Sequence, residues 1–187
     1  MGQDPITLIV SLVGGIFSFL LLMRFALQLS QADYYNPISQ SVVRITQPIV
    51  GPLQRVLRPR GRFDFATLIV ALVVKAIAII LLIQFSPVFA AAGGSINPLH
   101  LLIFSLTGVL NTLLTIYFWA TLGAVIISWI APDSYHPAPQ LLLQLSEPLF
   151  ALARRVIPPI GGLDLSPILI FLLIQIVQSY LKAFIIL

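Results

Sequence analysis

The sequence has no cysteine, so disulfides, thiolate metal sites, thiol catalysis and covalent haem attachment are all excluded. Acid is nearly as scarce. The six carboxylates, Asp4, Asp33, Asp64, Asp133, Glu147 and Asp164, all lie outside the centres of the long apolar runs, which leaves no carboxylate cage for a cation. The two histidines, His100 and His136, fall on opposite sides of a membrane in the topology derived below, too far apart for a metal site or a catalytic triad. No glycine-rich phosphate loop precedes a basic residue. These absences predict a protein that is not an enzyme and holds no cofactor or metal.

What is present is apolar. Hydrophobic residues make up 59% of the 187 positions and charged residues 9%, with mean hydropathy +1.05, a balance that a water-soluble domain could not hide from solvent. The expected fold is an all-α membrane protein with four transmembrane helices at about 6–28, 65–85, 101–130 and 165–187. Each run is at or above the ~20 residues needed to cross ~30 Å of hydrocarbon, and the third is long enough to tilt or to begin with a surface turn. The opening residues MGQDPI lack the basic region of a signal peptide, so the first run is read as a retained span.

The chain also repeats itself at an offset of one hundred residues. TQPIVGPLQRVLRPRGRFD, from Thr46 to Asp64, is answered by SEPLFALARRVIPPIGGLD, from Ser146 to Asp164. Pro48, Arg55, Pro59, Gly61 and Asp64 recur as Pro148, Arg155, Pro159, Gly161 and Asp164. Residues 1–94 and 95–187 are therefore two repeats, each with two spans and a connection, 32–63 in the first and 132–163 in the second, within one structural domain.

Charge asymmetry orients the repeats. The first connection holds Arg44, Arg55, Arg58, Arg60 and Arg62 and the third holds Arg154 and Arg155, whereas the middle connection, Ser86 to Pro98, has no charge. Short basic loops stay cytoplasmic, so both repeated connections face the cytoplasm and both termini lie on the other side. Two repeats of two spans each insert with the same sense, so parallel topology is expected.

Each connection is itself apolar at spacings of three and four, with arginine at the edges, as in a short amphipathic helix lying in the membrane interface. Pro48 and Pro148 should start that helix and Pro59 and Pro159 end it, while Gly61 and Gly161 supply the turn back into the bilayer. A second short helix should precede each, capped by Asn36 or His136 with Pro37 or Pro137 at its first position. Arg55, Arg58, Arg154 and Arg155 are the candidate contacts to anionic lipid headgroups or to a membrane-protein partner. The alternative is that these helices only fill the space between spans.

Asp64 and Asp164 stand just before a span and can either cap it or pair with Arg55 and Arg155. Lys75 lies about 16 Å along its helix from Asp64 at ~1.5 Å per residue, near mid-bilayer. With Asn111 and Gln175, its counterpart in the second repeat, it is the candidate intramembrane polar site. Arg24 and Lys182 sit near span ends and are expected to snorkel. Nucleic acid is an unlikely partner, because topology and lipid account for the net charge of +4.

DYYNPI from Asp33, TQPIVGPLQRV from Thr46 and SEPLFALARRVIPPIGGLDLSP from Ser146 to Pro167, in a four-span chain, resemble the YggT (YlmG) family of small integral membrane proteins of bacteria and plastids. That resemblance implies a bacterial inner membrane, or a thylakoid or plastid membrane for a plastid protein. It also implies a part in osmotic or ion-stress tolerance, cell division, nucleoid organisation or cytochrome assembly. The first copy departs from the second in having RPRGRF from Arg58 where the second has PPIGGL from Pro158. Two functions stay open: a scaffold or assembly factor working through the twin cytoplasmic helices, and a small oligomeric channel or transport component for ion balance.

Overall fold

The computed structural model describes residues 5–85, 97–159 and 164–186, with side chains as far as Lys182. Those residues form six helices: α1 (Pro5–Leu29), α2 (Pro37–Val56), α3 (Phe65–Phe85), α4 (Pro98–Ile130), α5 (Pro137–Val156) and α6 (Ser166–Ile186). No strand occurs among the described residues. The offset of one hundred that relates the two sequence copies also relates α2 to α5 residue for residue.

Three helices, α1, α3 and α4, are long and apolar enough to cross a membrane, and α6 is a further apolar helix, which fits a membrane protein. Their packing is that of helices in lipid. Beside buried large residues such as Leu21, Leu22 and Ile116, many inward positions are small, with Ser18, Ala26, Ala66, Thr67, Ala71, Ser105, Ala120, Thr121 and Ala124 all buried, so backbones can approach closely there. The outward positions are large and apolar: Ile69, Val73, Ile77 and Leu81 make an exposed stripe down α3. Such a stripe would be a liability in water and is neutral against acyl chains. At ~1.5 Å per residue the 33 residues of α4 extend about 50 Å, so this helix must tilt or project beyond the hydrocarbon.

Helix α4 is the hub, packing on α1, α3, α5 and α6. Helix α1 packs on α2, α3 and α4. Its end is a Schellman motif: Ala32 N–H donates to the Leu27 carbonyl at 2.9 Å, Gln31 N–H to that of Gln28 at 3.1 Å, and Gln31 takes the left-handed conformation at φ 54°. The chain then turns into α2, whose N-cap is the Asn36 side chain accepting from Ile38 N–H at 2.9 Å, with Pro37 as the first helical residue. His136 and Pro137 do the same for α5.

The connections differ from expectation in one respect. Each holds one 20-residue helix rather than two short ones, and Pro48 and Pro148 lie inside it, with Pro52 also inside α2. Proline at 48 and 52 removes the amides that would serve the carbonyls of Arg44 and Pro48. Helix α2 nevertheless runs through, because Ser39, Val42, Thr46 and Val50 form one buried face that an interruption would misalign. In α5 the corresponding anchors are Leu141, Leu145, Phe150 and Ala153. Tertiary burial outweighs the local breaker.

Exposed aromatic side chains gather where the spans meet these two helices. Tyr34, Tyr35, Trp129 and Tyr135 sit at the ends of α1 and α4, and Phe63 stacks on Phe65 at the start of α3. This is the level at which amphipathic rings settle between headgroups and acyl chains.

Candidate functional site

Each repeat joins its connecting helix to the apolar helix that follows through positions ten residues apart, but with different chemistry. In the first repeat Gln54 on α2 donates from Nε2 to Asp64 Oδ2 at 2.6 Å. Asp64 is fully buried and also accepts from the Thr67 amide, at 3.1 Å, and the Thr67 hydroxyl, so it caps α3. The cation comes from a span. Arg24 on α1, only 7% exposed, donates to Thr46 Oγ1 at 3.0 Å, Gln47 Oε1 at 2.7 Å and Gln54 Oε1 at 3.2 Å, with a longer contact to the Val43 carbonyl. Gln54 thus bridges the buried guanidinium to the buried carboxylate, and α1, α2 and α3 are bound by one polar network.

In the second repeat the counterpart of Arg24 is Ala124, and the cation stands on the surface helix. Arg154, in the position of Gln54, donates from Nε to Asp164 Oδ2 at 2.9 Å and reaches Glu147 Oε1 at 3.4 Å. Its guanidinium also lies over the Phe150 ring, 5.3 Å from the centroid. Asp164 accepts from the Ser166 amide at 2.9 Å. Hydrogen bonding from Ser166, with Arg154 beside it, holds the Asp164 carboxyl below the usual carboxylate range. A depressed acid stabilises the fold at neutral pH and loses that contribution as pH falls through its folded-state value. Asp164→Asn should therefore flatten the acid limb of a plot of melting temperature against pH. An unchanged acid limb would remove Asp164 as its source.

The sequence-predicted residues separate accordingly. Asp64 and Asp164 meet positions 54 and 154 rather than Arg55 and Arg155, which are exposed on the outer side together with Arg58. One residue rotates the side chain about 100° around a helix, which is why the neighbouring position takes the partnership. Gly61 adopts φ 58° in the tight turn where Arg60 and Phe63 exchange backbone hydrogen bonds of 3.0 and 3.1 Å, and Gln28 Nε2 ties that turn to α1 through the Gly61 carbonyl at 3.2 Å. Pro59 and Pro159 follow the ends of α2 and α5 and are exposed. Gly161 lies outside the described residues.

Within the apolar helices, Lys75 is half-buried on α3, with its aliphatic chain beside Gly108 of α4. Asn111, on the same side of α4, has a buried side-chain oxygen without a hydrogen-bond partner. Gln175 is exposed. It is Gln178 that reaches α4, donating to Thr115 Oγ1 at 3.0 Å and more distantly to the Asn111 carbonyl. The buried pair Ile170 and Ile174 sets the inner face of α6, and stepping four further selects position 178.

Arg24, Thr46, Gln47 and Gln54 are the site residues that sequence reasoning missed. Arg24 does not snorkel, because α2 folds over it and supplies four oxygen acceptors. The available signal was chemical: one arginine in a span end, followed by a glutamine-rich surface helix where the second copy has Glu147 and Arg154.

The two copies are tied across their seam by side chains. Ser30 Oγ donates to the Leu145 carbonyl at 3.2 Å and lies 3.3 Å from the Tyr117 hydroxyl, Asn36 donates to the Pro137 carbonyl at 2.8 Å, and Gln144 accepts from the Asp33 amide at 2.9 Å.

A family model described as CCB3/YggT matches the chain twice, over residues 3–85 and 103–185. An uncharacterised protein of Pseudomonas aeruginosa is 40% identical over 170 residues, covering 91% of this chain and 84% of its own. The uncharacterised protein YggT of Escherichia coli K12 is 37% identical over 179 residues, covering 94% of this chain and 88% of its own. An uncharacterised protein of Haemophilus influenzae is 28% identical over 168 residues, 88% of this chain and 84% of its own. No solved structure matches.

Proposed function

Since this chain belongs to the CCB3/YggT family, matched in both of its copies, we propose that it is a non-enzymatic membrane scaffold or assembly factor, acting through α2 and α5. The proteins it organises belong to the membrane: division components, cytochrome-assembly components or the anionic lipid patches that gather them. In this reading α1, α3, α4 and α6 all span the bacterial inner membrane, or a plastid membrane for a plastid relative, and α2 and α5 lie on its cytoplasmic face with both termini opposite. A reporter fused after Leu187 reads as external; a cytoplasmic signal reverses the orientation.

One observation carries the proposal. Besides its buried face, α2 has a second, exposed apolar stripe, Ile38, Ile45, Ile49 and Val56, edged by exposed Arg44 and Arg55. Helix α5 repeats the theme with Leu152 and Val156 beside Arg155. An apolar stripe bordered by cations is suited to a headgroup layer or to a partner helix lying in it. The experiment is a pull-down from solubilised membranes, paired with binding to phosphatidylglycerol vesicles. Arg55→Ala with Arg155→Ala should lose the partner and weaken vesicle binding by roughly tenfold or more at ~1 kcal/mol per basic residue. Undiminished capture by the double variant contradicts the scaffold reading.

The alternative, a small oligomeric channel for ion balance under osmotic stress, is favoured by Lys75 on α3 and the unpartnered Asn111 oxygen on α4. Ion flux in reconstituted vesicles that Lys75→Ala alters, and the arginine double variant does not, would establish it in place of the scaffold.

A further inference from the structure

Between α1, α2 and the turn that follows α2 lies a cavity of about 560 Å³, within the size range of small-ligand sites. Its lining is unusual for its position beside two apolar spans. Arg24, Gln28, Gln31, Tyr34, Ser39, Gln47 and Gln54 contribute polar groups to it, and no carboxylate does. We propose that this cavity binds a phosphate group, with Arg24 as its fixed charge.

Three observations converge on that chemistry. The first is charge. Arg24 is buried and bonded only to neutral oxygens, with Asp64 reached through Gln54. At the rim, Pro59 and Gly61 are flanked in sequence by the exposed Arg58, Arg60 and Arg62. The second is an orphan donor. Ser39 is 4% exposed, lines the cavity and has a hydroxyl with no hydrogen-bond partner. A buried hydroxyl left unpaired is costly, and although this one is covered in the structure, rotation about χ1 toward the cavity that Ser39 borders would give it an oxyanion as acceptor. The third is donor number. A planar guanidinium, two hydroxyls and several amide N–H groups supply more donors than a carboxylate can use and suit an anion with three or four oxygens.

Two side chains lining the cavity, Gln47 and Gln54, accept from Arg24 Nη2, and Gln47 is the one with freedom to move. It is exposed and borders two further cavities of about 650 and 420 Å³, so its amide has room to turn away and yield the guanidinium N–H to the ligand. The second repeat supplies an internal contrast. Where the first has Arg24, Ser39, Gln47 and Gln54, the second has Ala124, Pro139, Glu147 and Arg154, with a carboxylate already paired to the cation. The phosphate site belongs to the first copy alone and is independent of whether α2 and α5 dock a partner.

The test uses the full chain in phosphatidylcholine nanodiscs, titrated with inorganic phosphate in one arm and enriched with phosphatidylglycerol in the other, with bound lipid counted by native mass spectrometry. Saturable binding of inorganic phosphate identifies a free anion as the ligand, and retention of phosphatidylglycerol alone identifies a headgroup. Gln47→Glu sets a carboxylate against the Arg24 guanidinium, as Glu147 stands against Arg154 in the second repeat, so it should keep the melting temperature while reducing affinity about tenfold or more. Ser39→Ala removes a donor that makes no internal bond and should cost about tenfold in affinity without loss of stability. Absence of binding in both arms, or equal affinity in the Gln47→Glu protein, overturns the proposal. Arg55→Ala with Arg155→Ala leaves this lining untouched, so loss of docking and loss of phosphate binding are read separately.

Discussion

Arg24→Leu should lower the stability of the protein by about 3 kcal/mol, the scale of removing the cation from a buried, hydrogen-bonded polar network. Leucine matches much of the volume, so the loss is electrostatic. Asp64 stays fully buried with its capping bonds to Thr67 but without the compensating guanidinium, and the oxygens of Thr46, Gln47 and Gln54 lose their donor. Reversible unfolding in mixed micelles measures it. The second repeat prescribes the rescue: Arg24→Ala combined with Gln54→Arg moves the cation to the surface helix, where Arg154 meets Asp164 at 2.9 Å. That double variant should recover most of the lost stability. If Arg24→Leu is neutral, or if Gln54→Arg restores nothing, the network is not what holds α1, α2 and α3 together.

Gly14→Ala should destabilise by about 1–3 kcal/mol, the usual cost of overpacking. A Cβ at Gly14 would stand 2.8 Å from the Cβ of Ala78, and both atoms are fixed by helix backbones, so α1 and α3 must separate to admit it. The variant Ala78→Gly alone loses about 1 kcal/mol of helix propensity. Combined with Gly14→Ala it returns the missing space, so the two changes together should cost less than their sum. A double-mutant cycle that is additive within error would show that the close approach is not the constraint.

Both predictions depend on partners far apart in sequence, which marks how far the sequence alone can be read. Helix identity was legible from local pattern: Phe65–Phe85 forms where it is expected, and Asn36 and His136 cap where their chemistry puts them. The proline breaks at 48 and 148 were misread, because local propensity says nothing about the buried face that carries α2 and α5 through them. The aspartate partners were misread by one residue, because a helix phase error of one position is a rotation of about 100°. Gln175 was singled out as the counterpart of Lys75 although it is Gln178 that reaches α4, because repeat alignment ranks positions by sequence offset, not by the face they present.

The sequence by itself determined the apolar helical character, the doubled unit and the family, since composition, periodicity and a hundred-residue repeat are all local or self-referential properties. Only the tertiary structure decided that the two copies solve one electrostatic problem in different ways. A carboxylate at the start of a helix gains from a cation in the same polar network, met directly by Arg154 at Asp164 and through Gln54 by Arg24 at Asp64, and which helix donates it depends on three-dimensional reach. Arg24 is forty residues from Asp64 in the chain, and only the fold of α2 over α1 brings them into one network.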